Sequence, residues 1–294
     1  MIILKSKLET KKFLNNLQNQ QHTIGFVPTM GALHQGHISL INKAKSECDV
    51  VITSIFVNPT QFNDLNDLKN YPRTFESDCK MLETAGCNAV FAPEIPEMYS
   101  KKELELKKLS IEDKTWTEGK SVDFGLLEKV MEGAHRPGHF NGVAQVVSKL
   151  FRIVEPNKAY FGQKDFQQLA IIRSMVEQLN MPIEIIACPI MREPNGLAMS
   201  SRNERLTTEQ RRTAALISKT LFQIKDLQHS KSIVELKSFA EQQFNAEQQF
   251  KLEYFEIADI KTLQPAVDDK KNHERIACVA LKLGEIRLID NILL

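Results

Sequence analysis

Apolar and polar positions follow two alternating rhythms over the first two-thirds of the chain. Residues 23–28 (TIGFVP) form a short apolar run that ends in Pro-Thr-Met-Gly, the pattern of a buried strand entering a turn. Helical spacing follows over 37–48, where Ile38, Leu40, Ile41 and Ala44 share one face. Residues 49–57 (DVVITSIFV) are β-branched and almost wholly apolar, as expected of a strand covered on both faces. The alternation continues with a helix over 75–85, a strand over 88–92 and a strongly amphipathic helix over 142–154. A short strand over 159–161, a helix over 166–179 and a strand over 183–187 complete it. Strands that alternate with helices predict an α/β fold with a parallel sheet.

Past residue 188 the rhythm changes. A loop over 192–205 leads into two helical stretches, 208–228 and 232–248, and then three strand-like runs at 252–257, 275–281 and 286–289. This order predicts a smaller α+β domain, dividing the chain into 1–188 and 189–294. Residues 96–118 are rich in Lys and Glu and show no period; the Gln-rich patch 241–250 reads as a polar helix face.

Composition narrows the function classes. A chain of 294 residues can form one large domain or two smaller ones. A net charge of +1 gives no electrostatic reason to expect nucleic acid or a membrane as partner. No apolar run is long enough to span a membrane. The opening MIILKSKLETKKF lacks the apolar core of a signal peptide. The five cysteines are scattered and include no Cys-x-x-Cys pair, so reduced thiols in a cytoplasmic protein are expected.

Neither GxGxxG nor GxxxxGK[ST] occurs, which removes the commonest dinucleotide and P-loop cradles. His34 and His37 instead stand three apart where a strand turns into a helix. As a pair they fit three roles: metal ligands, a base with its orienter, or donors to an anion. No third ligand is near in sequence, which weakens metal binding. A helix start offers backbone N–H groups to a phosphate, and Gly31 and Gly36 would let backbone approach one closely.

Four further loops carry polar-ligand chemistry. Met199-Ser200-Ser201-Arg202 offers two hydroxyls and a guanidinium suited to a polyphosphate, and the apolar Leu197-Ala198 before it is unlike a solvated linker. Phe161-Gly162-Gln163-Lys164-Asp165 falls at a strand end, where open α/β sheets bind ligands. There Lys164 supplies a point charge, and Asp165 a carboxylate to orient a donor or assist a metal. Asn58 and Gln61, in FVNPTQF, are neutral amides suited to the hydroxyls and carbonyls of a small substrate. Finally, residues 132–140 (EGAHRPGHF) place basic groups before an apolar helix, either as a cap or to close over a negative ligand.

Taken in order, PTMGALHQGH (28–37), SIFVNPTQF (54–62), YPRTFESDC (71–79), RPGHFNGV (136–143), FGQKDFQQL (161–169), MREPNGLAMSSRN (191–203) and LIDN (288–291) resemble the pantothenate synthetase family over nearly the whole chain. These ligases join pantoate to β-alanine. The resemblance implies a Rossmann-like nucleotidyltransferase domain with a small C-terminal lid, in a homodimer. ATP, with Mg²⁺, would lie along Met30, Gly31, Ala32, Leu33, His34, Gln35, Gly36 and His37. Gly162, Gln163, Lys164 and Asp165 would extend that site, with Met191, Met199, Ser200, Ser201 and Arg202. Gln61, Gln168 and Asn58 would serve the substrates, with His37 as active-site acid and His34, Lys164 and Arg202 beside it in catalysis. No side chain is assigned as a dedicated metal ligand. Thr60 and Met191 stand where the family often has Met and Val. Two other classes would share parts of this pattern: a nucleotidyltransferase that releases pyrophosphate without an amine acceptor, and a non-catalytic nucleotide-binding protein.

Overall fold

The computed structural model describes every residue except 19–20, 105–114, 118–119 and 269–273. The chain falls into two compact units. The first comprises Met1–Phe124, Arg136–Gln163 and Ile171–Pro189; the second comprises Gly125–His135, Lys164–Ala170 and Ile190–Leu294. The second unit thus takes in two segments from the first 188 residues as well as the C-terminal stretch.

The strands, in chain order, begin with β1 (Ile2–Leu4), β2 (Ile24–Thr29), β3 (Val50–Ile55) and β4 (Ala89–Phe91). A short antiparallel pair follows, β5 (Thr115–Thr117) with β6 (Lys120–Ser121), and then β7 (Lys158–Gly162) and β8 (Glu184–Cys188). Six of them form one sheet in the order β1-β4-β3-β2-β7-β8, with every pairing parallel. The α/β reading of the sequence is therefore correct. Its central strands are buried: Phe26, Val27, Ile52, Val90, Ala159 and Tyr160 are within 1% of full burial. The helix Gln35–Lys45 turns Leu40, Ile41 and Ala44 inward, as their spacing predicts.

Chain order runs outward from β2 through β3 to β4, then jumps to β7 on the other side of β2. The switch point of the sheet lies between β2 and β7. The sequence opens it through Pro28. Along β2 the carbonyl of Ile24 accepts from Asn157 N at 3.0 Å on the β7 side, whereas that of Thr29 accepts from Phe56 N at 3.1 Å on the β3 side. Pro28 has the parity of Ile24 and no N–H to donate. The β2–β7 ladder accordingly pairs only Gly25 with Lys158 and Phe26 with Ala159, while the β2–β3 ladder runs from Ile24 through Thr29.

Two first-unit elements have weak sequence signals and were not expected. β1 is a three-residue edge strand whose Ile2 and Ile3 stay exposed, and the helix Lys7–Gln18 buries only Thr10 and Leu14 among its described side chains. The amphipathic helix starts at His139, ahead of the expected 142, with Gly138 at its N-cap. Much of 96–118 lies outside the described residues; a helical turn, Ile95–Met98, spans its start.

The second unit carries the antiparallel sheet β11-β10-β9, made of β9 (Phe250–Asp259), β10 (Arg275–Leu283) and β11 (Ile286–Leu293). Two helices, Thr208–Leu227 and Ile233–Ala246, each start with a capping box, Thr207 with Gln210 and Ser232 with Glu235. Ile217, Leu221, Leu236 and Phe244 from these helices join Phe255, Val279 and Leu281 in one core. β11 runs past the expected 289 because Asp290 and Asn291, which break the apolar pattern, are buried by partners described below. Glu132 ties its segment to this unit: Arg287 donates to both its oxygens at 2.8 and 2.6 Å, and Tyr254 Oη donates at 2.9 Å. Among the described residues, no helix is long and apolar enough to cross a membrane.

Candidate active site

The turn between β2 and the helix Gln35–Lys45 satisfies its backbone with the protein's own groups. Gly31 N–H donates to Thr29 Oγ1 at 3.2 Å. Ala32 and Leu33 N–H donate to the two oxygens of Asp78, at 2.9 and 2.8 Å, and the Thr74 hydroxyl donates to Asp78 Oδ1 at 3.1 Å. Asp78 is buried on the helix Phe75–Ala85. It acts as a resident anion for the turn, since successive backbone N–H groups form a nest that favours negative charge. Gly31 is required here: its φ is +80°, and a Cβ would meet Asp78 Oδ2 at 3.0 Å.

His34 is the N-cap, and the two histidines form a capping box. His34 Nδ1 accepts from Gly36 N–H at 3.1 Å, and His37 Nδ1 accepts from His34 N–H at 3.2 Å. Ser or Thr with Glu or Gln usually fills these places. The sequence led us to expect open backbone donors at this helix start. Instead, the N–H groups of Gly31, Ala32, Leu33, His34 and Gly36 are bonded within the protein.

The same bonds fix how each ring is oriented. A neutral imidazole has one lone-pair nitrogen, and each ring uses it at Nδ1 to accept from backbone. The hydrogen-bond network therefore assigns the proton to Nε2 in both rings. In this arrangement backbone N–H groups occupy the Nδ1 lone pair of each ring, and the N–H of each ring is at Nε2. Their centroids lie 4.1 Å apart, so the two donors act as neighbours.

Gln61 reaches this turn, its Nε2 donating to Met30 Sδ at 3.1 Å. Two side chains hold it. Asn58 Nδ2 donates to Gln61 Oε1 at 3.1 Å, and His139 Nδ1, facing a carbonyl, donates to Gln61 O at 2.8 Å. Asn58 Nδ2 also donates to Gly142 O at 3.1 Å. Asn58 Oδ1 accepts from Thr60 N–H, Thr60 Oγ1 and Tyr99 Oη, at 3.2, 3.0 and 2.9 Å. Asn58, expected to contact a substrate, is buried to 1% exposure with both amide hydrogens bonded to protein, and in this arrangement it supports Gln61. Burial pushes the Tyr99 hydroxyl well above its usual range, so it remains a donor to Asn58. His139, within the motif read as a cap or a closing segment, supports Gln61, and Arg136 Nη1 lies 3.1 Å from its Nε2. Gly162 ends β7, the strand next to β2 at the switch point, and Gln163 opens the turn that follows it.

The second unit gathers most of the other expected residues. Met199 N–H donates to Met191 O at 2.9 Å, and Arg192 and Ala198 form an antiparallel bridge, so Met191 and Met199 stand opposite each other. Ser200 caps the turn Ser201–Arg205 by accepting from Arg202 N–H at 3.3 Å. Leu197 and Ala198 are buried, which removes the solvated-linker reading of this loop. Lys164 Nζ lies 3.9 Å from Asp165 Oδ2, with the Asp165 side chain 48% exposed. Of the adjacent glutamines, Gln167 is buried and bonds Leu127 O, Val130 O and Glu132 N–H, whereas Gln168 is half-buried. Asp78 and the pair Asp290-Asn291 had no role in the sequence reading. Their only signal was membership in YPRTFESDC and LIDN, since their partners lie far along the chain.

A doubly covered parallel sheet, with two imidazoles at the helix start beyond a switch-point strand, defines an α/β enzyme of Rossmann-like class. Residues 2–293 match the Pantoate-beta-alanine ligase family. The chain is 48% identical over 292 residues to the pantothenate synthetase of Porphyromonas gingivalis, covering 99% of both chains. It is 49% identical over 293 residues to that of Azobacteroides pseudotrichonymphae, again with 99% of both covered. The crystal structure of pantothenate synthetase from Thermus thermophilus is similar over 99% of each chain, with a TM-score of 0.86 and 37% identity. The pantoate-beta-alanine ligase of Francisella tularensis, solved complexed with beta-gamma ATP and beta-alanine, has a TM-score of 0.75 at 37% identity, over 100% of this chain and 97% of that one. This chain belongs to the pantoate-beta-alanine ligase family.

Proposed function

We propose that this protein condenses pantoate with β-alanine to form pantothenate, consuming ATP and releasing AMP and pyrophosphate. Family membership across residues 2–293 carries the reading. In the first step a pantoate carboxylate oxygen attacks the α-phosphorus of ATP, and the bond to the leaving pyrophosphate breaks. In the second, the β-alanine amine attacks the acyl carbon of pantoyl-adenylate, AMP departs, and the amine loses a proton. Neither step needs an enzyme nucleophile. Catalysis then rests on positioning and on donors aimed where charge develops.

His34 and His37, with protons on Nε2, donate to phosphate oxygens, His37 as the donor nearest the reacting group. Met30, Gly31, Ala32, Leu33, Gln35 and Gly36 shape the turn that holds these rings. Gly162, Gln163, Met191 and Met199 border the nucleotide, and Lys164, Ser200, Ser201 and Arg202 bind its β- and γ-phosphates. Gln61 and Gln168 hold pantoate, with Asn58 and His139 fixing Gln61. Mg²⁺ fits this donor set, since that ion is usually held by substrate phosphates and one or two carboxylates. The half-exposed Asp165 offers such a carboxylate, and the ion would offset triphosphate charge. By the same family reading the enzyme is a cytoplasmic homodimer.

Pyrophosphate–ATP exchange tests the first step alone. Exchange should require pantoate and proceed without β-alanine. His37→Ala should lower it by on the order of 10²–10³-fold with the melting temperature kept. Exchange that ignores pantoate, or that survives in His37→Ala, would overturn the assignment.

A further inference from the structure

We propose that Asp290 and Asn291, adjacent on β11, are positioning residues that hold two nucleotide-binding segments, Lys164 and the Met191–Arg202 loop, on one rigid strand. The inference rests on the function proposed above and adds residues that touch no reacting atom.

Asp290 receives a two-pronged bond from Arg192, Nη1 to Oδ2 at 2.6 Å and Nη2 to Oδ1 at 3.0 Å. The Arg192 guanidinium then continues to Gly196 O at 3.1 Å and Asn291 O at 3.3 Å, and lies 5.2 Å from the Phe222 ring centre. One cation thereby fixes both arms of the loop in which Met199 N–H bonds Met191 O. Asn291 faces the other way. Its Nδ2 donates to the carbonyl of Lys164 at 2.8 Å, and its own N–H donates to Asp290 Oδ1 at 2.8 Å.

Successive side chains on a strand point to opposite faces, so adjacent residues can hold segments on both. Burial along β11 records this. Buried and half-buried residues alternate from Ile286 to Ile289, and then Asp290, Asn291 and Ile292 are all buried. The strand is itself fixed, with Asp290 opposite Val279 and Asn291 opposite Cys278 in the ladder with β10. A bidentate Arg–carboxylate pair sets angle as well as distance, which a lysine cannot do. The Lys164 carbonyl, once its donor is removed, would be free to turn and carry the side chain with it.

The test separates the two half-reactions in Asn291→Leu and Arg192→Lys, with the melting temperature followed in both. Losing one hydrogen bond to a part-buried carbonyl should raise the KM for ATP in adenylate formation by about tenfold. In Asn291→Leu, consumption of supplied pantoyl-adenylate by β-alanine should keep its wild-type rate, because Lys164 then has no β- or γ-phosphate to hold. An unchanged KM for ATP, or an equal fall in both half-reactions, overturns the positioning role. If Asn291→Leu does not fold, Arg192→Lys decides the matter through the KM for ATP alone: a rise supports the positioning role and an unchanged value overturns it. Failure of the wild-type protein to form pantoyl-adenylate would instead remove the proposed function itself.

Discussion

Gly142→Ala is a one-carbon change that should act on the substrate amide through packing. A Cβ at Gly142 would stand 2.4 Å from Thr60 O, 2.7 Å from Thr60 C and 2.8 Å from Gln61 Cα. Ordinary carbon–oxygen contacts begin near ~3.3 Å, so about 1 Å of movement is needed. The helix His139–Val154 is held by a buried face that includes Phe140, Val143, Val147, Leu150 and Phe151, and it resists moving. The three-residue turn Pro59–Gln61 is the softer partner, and it carries Gln61. Its retreat would stretch the bond from Asn58 to Gly142 O and pull Gln61 from its support. Overpacking costs about 1–3 kcal/mol. Replacing a mid-helix glycine with alanine returns about 1 kcal/mol. Net stability should therefore drop by only about 0–2 kcal/mol, a melting shift of a few degrees. A misplacement near ~1 Å can cost on the order of 10²-fold in rate. Steady-state kcat/KM for pantoate, measured beside a thermal melt, should show a large loss of activity with a small loss of stability. Wild-type kcat/KM would refute the claim that this turn sets Gln61.

Two other perturbations follow from single side chains. Asp78→Asn leaves one oxygen for the two N–H groups of Ala32 and Leu33 and points an amide at the other, at a cost of about 1–3 kcal/mol. Pyrophosphate–ATP exchange should fall with it, and an Asn variant with full exchange and an unchanged melting point would contradict the resident-anion role. Glu47 is drawn from the usual 4.5 down to about 2 by Lys43 first, then the Tyr160 hydroxyl and Lys158. A carboxylate whose folded pKa is lowered adds stability above its unfolded pKa and loses it as pH falls through the folded one. Thermal melts of Glu47→Gln should therefore decline less steeply than wild type from pH 4.5 to about 2, and parallel slopes would count against the ion network.

The parallel sheet was legible because its central strands are long β-branched runs, such as VVITSI in β3, set between helices of clear period. β1 was not, because three residues at an exposed edge carry no period. The positions of His34 and His37 could be read, but not their direction. The orientation of each ring depends on which nitrogen accepts from backbone, a matter of Å and not of spacing. Asn58 looked like a substrate contact because a short list of polar residues cannot show that Gly142 and Tyr99, far along the chain, already use its amide. Asp78 and Asp290 went unread for the same reason. Each is an ordinary carboxylate until the fold brings backbone or guanidinium donors to it.

At the centre of the proposed function is the coupling of pantoate adenylation to capture by an amine. An AMP-release assay with ATP, Mg²⁺, pantoate and β-alanine, omitting each in turn, tests it most directly. Steady AMP formation in the complete mixture, stoichiometric with pantothenate and lost without either pantoate or β-alanine, is the predicted result. Sustained pyrophosphate release without β-alanine, or no turnover in the complete mixture, would contradict it.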